Sequence, residues 1–318
     1  MKNTTSFLLA VLLVFITSEF ANGKEDLQHP PGRLIDIGGY RLHIFCQGTG
    51  KPVVLFDAGI GGSSLDWVMV QRLLDKNVRS CAYDRAGYGW SDEGPSPRTT
   101  DQIVEELHTL LKNADIPPPY VLVGHSFGGY NMQYFAKVYP RETAGLILVD
   151  SSHPDQVDRL PEPPARRERS QSSEMVTFFQ GQSTFKYYPE DVLPALFSIL
   201  SLRKTFITDR RESLDFAMSG EQVSAAGPLP DIPLIVITRG KQAWPDNPYG
   251  NMLEQAWLQM QKELVKMSPQ GKQIIAEKST HLIQLEQPDL VSNAIMSVIN
   301  ELRSSGNDTE NQDSVVPP

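Results

Sequence analysis

Apolar residues along this chain recur with two periods. Tyr40 to Gln47 (YRLHIFCQ) alternates apolar and polar, as a half-buried strand does. Pro52 to Asp57 (PVVLFD), Val78 to Tyr83 (VRSCAY), Tyr120 to Gly124, Pro233 to Thr238 (PLIVIT) and Gln273 to Glu277 (QIIAE) are short apolar runs that read as strands. Ala144 to Asp150 (AGLILVD) is continuous enough for a buried parallel strand. Between these runs the period lengthens to that of a helix. Leu65, Val68, Leu73 and Leu74 share one face of a helix with Ser63 or Ser64 at its N-cap. Thr99-Thr100-Asp101-Gln102 reads as a capping box opening a helix with Ile103, Leu107, Leu110 and Leu111 inward. Further helices are expected over Tyr130 to Tyr139, Met252 to Met267 and Pro288 to Leu302.

Strands alternating with helices predict an α/β fold with a mostly parallel sheet covered on both faces. From Ser151 to about Pro230 the pattern lapses into a polar, uneven stretch. An insertion there, at about 151–230, is expected to form a lid over the carboxyl ends of the strands, where such sheets bind ligands. No internal repeat is visible. Residues 304–318 are polar and aperiodic and are expected to be disordered.

The first residues change the picture. Lys2 is followed by the apolar run Phe7 to Ile16, too short for a hydrocarbon core of about 30 Å. Ala21-Asn22-Gly23 then offers small residues at a cleavage site. Residues 1–23 read as a secretory signal peptide, leaving 24–303 as one domain in a secreted or periplasmic protein with no stable membrane span. The other reading is an uncleaved anchor. Export would expose Cys46 and Cys81 to oxidising conditions, where such a pair tends to close. The other reading for them is two buried thiols.

The chain has 318 residues, 40% hydrophobic and 21% charged, which suits a globular protein with a sizeable core. Its net charge of −9 argues against nucleic acid as a partner, because phosphate binding needs a basic face.

The candidate chemistry centres on Gly124-His125-Ser126-Phe127-Gly128, which fits G-x-S-x-G with a strand before and a helix after. The glycines allow a turn too tight for side chains, and the helix beginning after Ser126 aims its amides at the hydroxyl. A serine needs a base. Of six histidines, His281 in Ser279-Thr280-His281-Leu282 follows the last strand and falls on the same sheet edge as Ser126. His125 adjoins the serine and is read as structural; His153 could line a pocket. The acid that would hold the imidazole is either Asp150, placed at a strand end, or Asp246, farther into the next loop. Asp150 is preferred because rigid elements position a site more accurately than loops. Oxyanion donors are expected from the Phe127 N–H and, in Ala58-Gly59-Ile60-Gly61-Gly62, from the Ile60 N–H.

With Asp57-Ala58-Gly59-Ile60-Gly61-Gly62, Tyr83-Asp84-Arg85-Ala86-Gly87-Tyr88-Gly89-Trp90-Ser91, the serine elbow and Thr280-His281, the chain resembles the α/β-hydrolase superfamily, in its lipase- and esterase-like members, from about Leu34 to Leu302. The resemblance implies an eight-stranded, mostly parallel sheet with helices on both faces and a helical lid insertion. It gives Asp84 and Arg85 a bracing role. It makes the strands carrying Cys46 and Cys81 neighbours, and so implies a Cys46–Cys81 disulfide, which would contribute roughly 3–4 kcal/mol. Three positions depart from the family pattern. Ala58-Gly59 replaces His-Gly, Thr280 replaces Gly before the histidine, and Ala243 stands where an aspartate is expected after the penultimate strand. The last departure supports Asp150.

The implied function is a serine hydrolase that cleaves a carboxylic ester or related acyl bond of a small apolar molecule through an acyl-enzyme, with no cofactor and no metal. A serine at the elbow speaks against the dehalogenases and epoxide hydrolases of this fold, which use aspartate there. A lyase of the same fold, or a binding protein with a vestigial triad, are the alternatives. Phe178, Phe179, Phe185, Leu193, Leu196, Phe197, Leu200 and Phe206 would make an apolar pocket if they face inward, or ordinary lid packing if they do not.

Overall fold

The computed structural model describes residues 30–160 and 184–312. Eight strands form one sheet: β1 (Arg33–Asp36), β2 (Arg41–Gln47), β3 (Val53–Asp57), β4 (Ser80–Tyr83), β5 (Tyr120–His125), β6 (Thr143–Val149), β7 (Leu234–Arg239) and β8 (Gly271–Ala276). Their spatial order is β1-β2-β4-β3-β5-β6-β7-β8. Pairing is antiparallel for β1–β2 and β2–β4 and parallel from β4 across to β8.

The helices are α1 (Val68–Leu73), continuing a 3-10 turn at Ser64–Trp67, then α2 (Thr100–Asn113), α3 (Phe127–Val138) and α4 (Gln156–Arg159). The insertion between β6 and β7 carries α5 (Leu193–Leu200), α6 (Arg203–Leu214) and α7 (Phe216–Ala225). They are followed by α8 (Pro248–Val265), α9 (Ile283–Glu286) and α10 (Pro288–Gln312).

The central strands are continuous apolar runs because both of their faces are covered. Leu55, Leu122, Leu146, Leu148 and Val236 point into one core with α2 and α3. Phe56, Val121, Val123, Ile147, Val149 and Ile237, the alternate residues, point into a second core with α1 and α10. Burying each such side chain contributes about 1.5–3 kcal/mol. At the margin the pattern changes: Lys272, Gln273 and Ile275 of β8 are exposed, as an edge strand allows.

Several elements differ from their sequence signals. Thr99 does stand at the N-cap of α2, but its side chain caps nothing. The first amides of α2 are taken instead by the insertion: Thr100 N donates to Ser219 Oγ at 3.1 Å and Asp101 N to Gln222 Oε1 at 3.0 Å. The box fails because a distant element competes for the same donors. Helix α8 starts four residues before the expected Met252, with Asn247 as N-cap accepting from Gly250 N at 2.9 Å and Pro248 following it. Helix α10 continues from the expected end at Leu302 to Gln312, within the segment expected to be disordered, because an established helix gains a bond per added residue.

Cys46 and Cys81 are register partners in the β2–β4 pair, and their sulfurs are bonded at 2.11 Å. Of the phenylalanines expected to line a pocket, the described ones do not gather inward. Phe185, Phe197 and Phe206 are 41%, 52% and 56% exposed, while Leu196 packs on Leu65, Trp90 and Ile199. The reason is helical phase: Leu193, Leu196 and Leu200 occupy the inner face of α5 and turn Phe197 outward. Phe178 and Phe179, like the leader at 1–23, lie outside the described residues.

Candidate active site

The loops that follow β3, β4, β5, β6 and β8, and the last residue of β7, converge on one end of the sheet. Ser126 sits between β5 and α3 with φ 51° and ψ −120°. This is a left-handed turn for a non-glycine residue, a conformation that costs on the order of 1–3 kcal/mol and persists because its surroundings enforce it. Ser126 N donates to Val149 O at 3.2 Å, and its carbonyl accepts from Gly129 N at 2.9 Å and Ser152 N at 3.0 Å. A Cβ at Gly124 would fall 2.5 Å from Gly128 O, and one at Gly128 would fall 2.6 Å from Ala58 O. Only glycine therefore lets α3 close over β5 and against the loop after β3.

That loop approaches Ser126 directly. A Cβ added to Gly59 would meet Ser126 Cβ at 3.3 Å and the His125 ring at 3.1 Å. Gly62 N donates to Gly59 O at 3.1 Å, which closes the turn around Ile60. Ile60 and Phe127 belong to one buried cluster with Tyr130 and Phe216. The two expected oxyanion residues are thus neighbours, and Phe127 N is among the first amides of α3, which have no partner within the helix.

Arg85 holds this loop from behind. Its Nη1 donates to Asp57 Oδ1 and Ala58 O at 2.6 Å each, and its Nη2 to Gly59 O at 2.8 Å. The guanidinium also reaches the insertion, where Glu212 of α6 accepts from Nε and Nη2. Tyr88 OH donates to the same carboxylate at 3.0 Å. Asp84 braces the neighbouring segment by accepting from Ser64 N at 2.6 Å and Trp90 N at 3.0 Å.

His281 lies in the loop after β8, 7% exposed. Its Nδ1 is 2.6 Å from Asp150 Oδ2, so the Nδ1–H donates to that carboxylate. Thr280 is tied to Glu286 through N and Oγ1. His125 is not idle. Its Nε2 donates to the His281 carbonyl at 2.9 Å, and the two rings lie 4.6 Å apart. Burial, then the nearby His281, pushes the His125 ring down to about 3, so it stays neutral. Its Nδ1 is then a buried acceptor with no partner, facing Gly59.

Asp150 directly follows β6, with φ 40°, and is fully buried. Oδ2 accepts from His281 Nδ1 and also from Arg239 Nη1 at 2.6 Å; Oδ1 accepts from Trp257 Nε1 at 2.9 Å and Arg239 N at 3.3 Å. Burial alone would raise the proton affinity of this carboxyl. The Arg239 guanidinium, then the His281 and Trp257 bonds, override burial and hold it well below the usual carboxylate range.

Asp246 is not brought to His281. It is exposed in the loop after β7 and accepts from Asn251 Nδ2 at 3.2 Å. The position at the end of β7 is filled by Arg239, whose Nε and Nη2 reach Glu254 at 3.0 and 3.1 Å. Its guanidinium stands 4.5 Å and 4.9 Å from the ring centres of Trp244 and Trp257. His153 is also set apart, its Nδ1 accepting from Asp155 N at 3.1 Å.

The residues that sequence reasoning passed over are Arg239, Glu254, Trp257 and Glu212. Arg239 carried a signal: it is the one charge closing an otherwise apolar strand. Glu254 and Trp257 carried a weaker one, because residues three apart on α8 share a face. Glu212 carried none in its charged helix, Arg203–Leu214.

The alpha/beta hydrolase family model matches residues 53–294. The chain is 27% identical over 252 residues to the uncharacterized protein YqjL of Bacillus subtilis, covering 79% of this chain and 85% of that one. Among solved structures it is similar to a thermophilic esterase from Thermogutta terrifontis, at TM-score 0.61 and 24% identity, over 85% of this chain and 98% of the esterase. It is also similar to the enol-lactonase from Burkholderia xenovorans, at TM-score 0.60 and 16% identity, over 84% and 100% of the two chains.

Proposed function

Because the chain belongs to the alpha/beta hydrolase family, we propose that it hydrolyses a carboxylic ester or related acyl bond through Ser126, His281 and Asp150. The observation that carries the proposal is the 2.6 Å contact of His281 Nδ1 with Asp150 Oδ2, on the sheet edge where β5 ends in a serine held at positive φ. The esterase and enol-lactonase among the similar structures support the same class of chemistry.

Ser126 Oγ attacks the acyl carbon as its proton passes to His281 Nε2. Asp150, ionised, fixes the tautomer and stabilises the imidazolium. The N–H groups of Phe127 and Ile60 receive the oxyanion, and loss of one such donor costs about 3 kcal/mol of transition-state stabilisation. His281 then returns its proton to the leaving oxygen. Water, activated by the same imidazole, attacks the acyl-enzyme and frees the acid and Ser126.

We further propose that residues 1–23 are a secretory leader and that the protein is secreted or periplasmic, a compartment in which the Cys46–Cys81 bond would be at home.

The test is a fluorophosphonate label and short-chain p-nitrophenyl esters, applied to wild type and Ser126→Ala. Wild type is expected to label and turn over, and the variant to do neither. A folded wild type inert to the label and to every activated ester would overturn the proposal. Labelling without ester turnover would favour a lyase that uses the same residues as acid and base.

A further inference from the structure

We propose that Arg239 is a positioning residue that sets the pH at which this site works, by holding a permanent positive charge on the carboxylate that orients His281. The inference rests on the Ser126–His281–Asp150 reading above.

The geometry has two parts. Asp150 Oδ2 is shared by two donors, His281 Nδ1 and Arg239 Nη1, each at 2.6 Å. All that the carboxylate can accept is supplied from three residues, since Oδ1 takes Trp257 Nε1 and Arg239 N. Asp150 therefore has no means of swinging away, and a cation stands beside the imidazole it orients. Arginine keeps that charge at any pH the enzyme meets. A fixed cation bonded to one carboxylate oxygen disfavours a second positive charge beside that oxygen.

The charge on Arg239 is itself moderated. Glu254 of α8 binds the other edge of the guanidinium with two bonds, at 3.0 and 3.1 Å. Trp244 and Trp257 flank the guanidinium and keep it dry. The remaining titratable groups facing the pair are few among the described residues. His125, from the end of β5, is held neutral by burial. Glu286, from α9, is engaged with Thr280. The local balance is thus one guanidinium between two carboxylates, one of which belongs to the triad. Arg239 pushes the acid limb of activity down, and Glu254 partly restores it.

Two substitutions should move that limb in opposite directions, which packing loss does not do. The measurement is the pH dependence of kcat/KM for an activated ester, together with the rate of fluorophosphonate labelling, on the full chain. Arg239→Gln removes the cation and keeps a donor. Its acid limb should rise by about one pH unit, at the lower end of what a neighbouring charge does. Glu254→Gln is nearly isosteric and removes the compensating charge, so its acid limb should fall by a few tenths of a unit or more. Arg239→Lys should stay close to wild type in limb position even where its rate drops. If Arg239→Gln does not fold, Glu254→Gln still decides. Acid limbs of Arg239→Gln and Glu254→Gln that coincide with wild type would overturn the inference while leaving the triad intact. A wild type that neither labels nor turns over would instead remove the reading beneath it.

Discussion

Arg85 and Glu212 meet as a fully buried, two-bond pair, with Nε 2.8 Å from Oε1 and Nη2 2.9 Å from Oε2. The other edge of the same guanidinium holds Asp57 and the carbonyls of Ala58 and Gly59. One side chain therefore fixes both the insertion and the loop expected to bind the oxyanion. Taking away one partner of a buried pair strands the other charge, at a cost of about 3–5 kcal/mol. Glu212→Ala should lower the unfolding free energy in urea by that order, and Glu212→Gln by less. A loss below about 1 kcal/mol, the range of exposed pairs, would show that the pair contributes little.

Asp150→Asn and Asp246→Asn should part widely. An amide at Asp150 cannot accept the Nδ1–H as a carboxylate does, and the imidazole loses its tautomer. The expected fall in kcat is about 10,000-fold. Asp246 is exposed and accepts a hydrogen bond from Asn251, and its amide should leave kcat within about threefold, as surface changes do. Steady-state rates on one ester at neutral pH compare the two.

Asp66 introduces a pH dependence of stability. It is buried under the insertion, where Tyr188 OH donates to it at 2.8 Å. Burial raises its carboxyl to about 6, and the Tyr188 bond opposes that only in part. A carboxyl whose folded value exceeds its unfolded one stabilises the fold while protonated. That stabilisation is complete below the unfolded value and is lost as pH rises through about 6. The loss is about 3 kcal/mol at 1.36 kcal/mol per unit. Asp66→Asn should gain stability on wild type between pH 4 and 7.5, read as the difference in urea midpoints. Asp209 is raised to about 6 by burial, then by Glu212, and titrates in the same window. Asp209→Asn is therefore the control: if it alone removes the slope, Asp66 is not its source.

Reducing the Cys46–Cys81 bond should lower stability without touching the site, since β2 and β4 remain paired by their ladder. The chain-entropy argument gives about 3–4 kcal/mol for a loop of this length. Thermal unfolding with and without reductant, and in Cys46→Ser/Cys81→Ser, measures it. Ester turnover at low temperature should persist in both.

The sequence carried the sheet well because burial on both faces leaves a plain mark. Val121 to Val123 and Leu146 to Val149 are unbroken apolar runs whose alternate residues serve opposite cores. Ser126 was legible because a tight turn demands Gly124 and Gly128. His281 and Asp150 were legible by position, each following a strand on the same edge. What stayed hidden depends on partners far along the chain. Arg239 was visible as a charge, but not that it reaches back 89 residues to Asp150. Glu212 is buried by a contact 127 residues away. The capping box at Thr99 is locally correct and still loses its amides to Ser219 and Gln222. Local pattern names the donors; only the assembled fold decides which acceptor takes them.

Ser219 and Gln222 have a kinetic consequence. Because they satisfy the leading amides of α2, lifting α7 off the body would fray the start of a core helix as well as break a surface contact. That portion of the insertion is therefore a poor hinged flap. If esters are the substrate, any lag or jump in rate as the substrate begins to form micelles should therefore not come from α7.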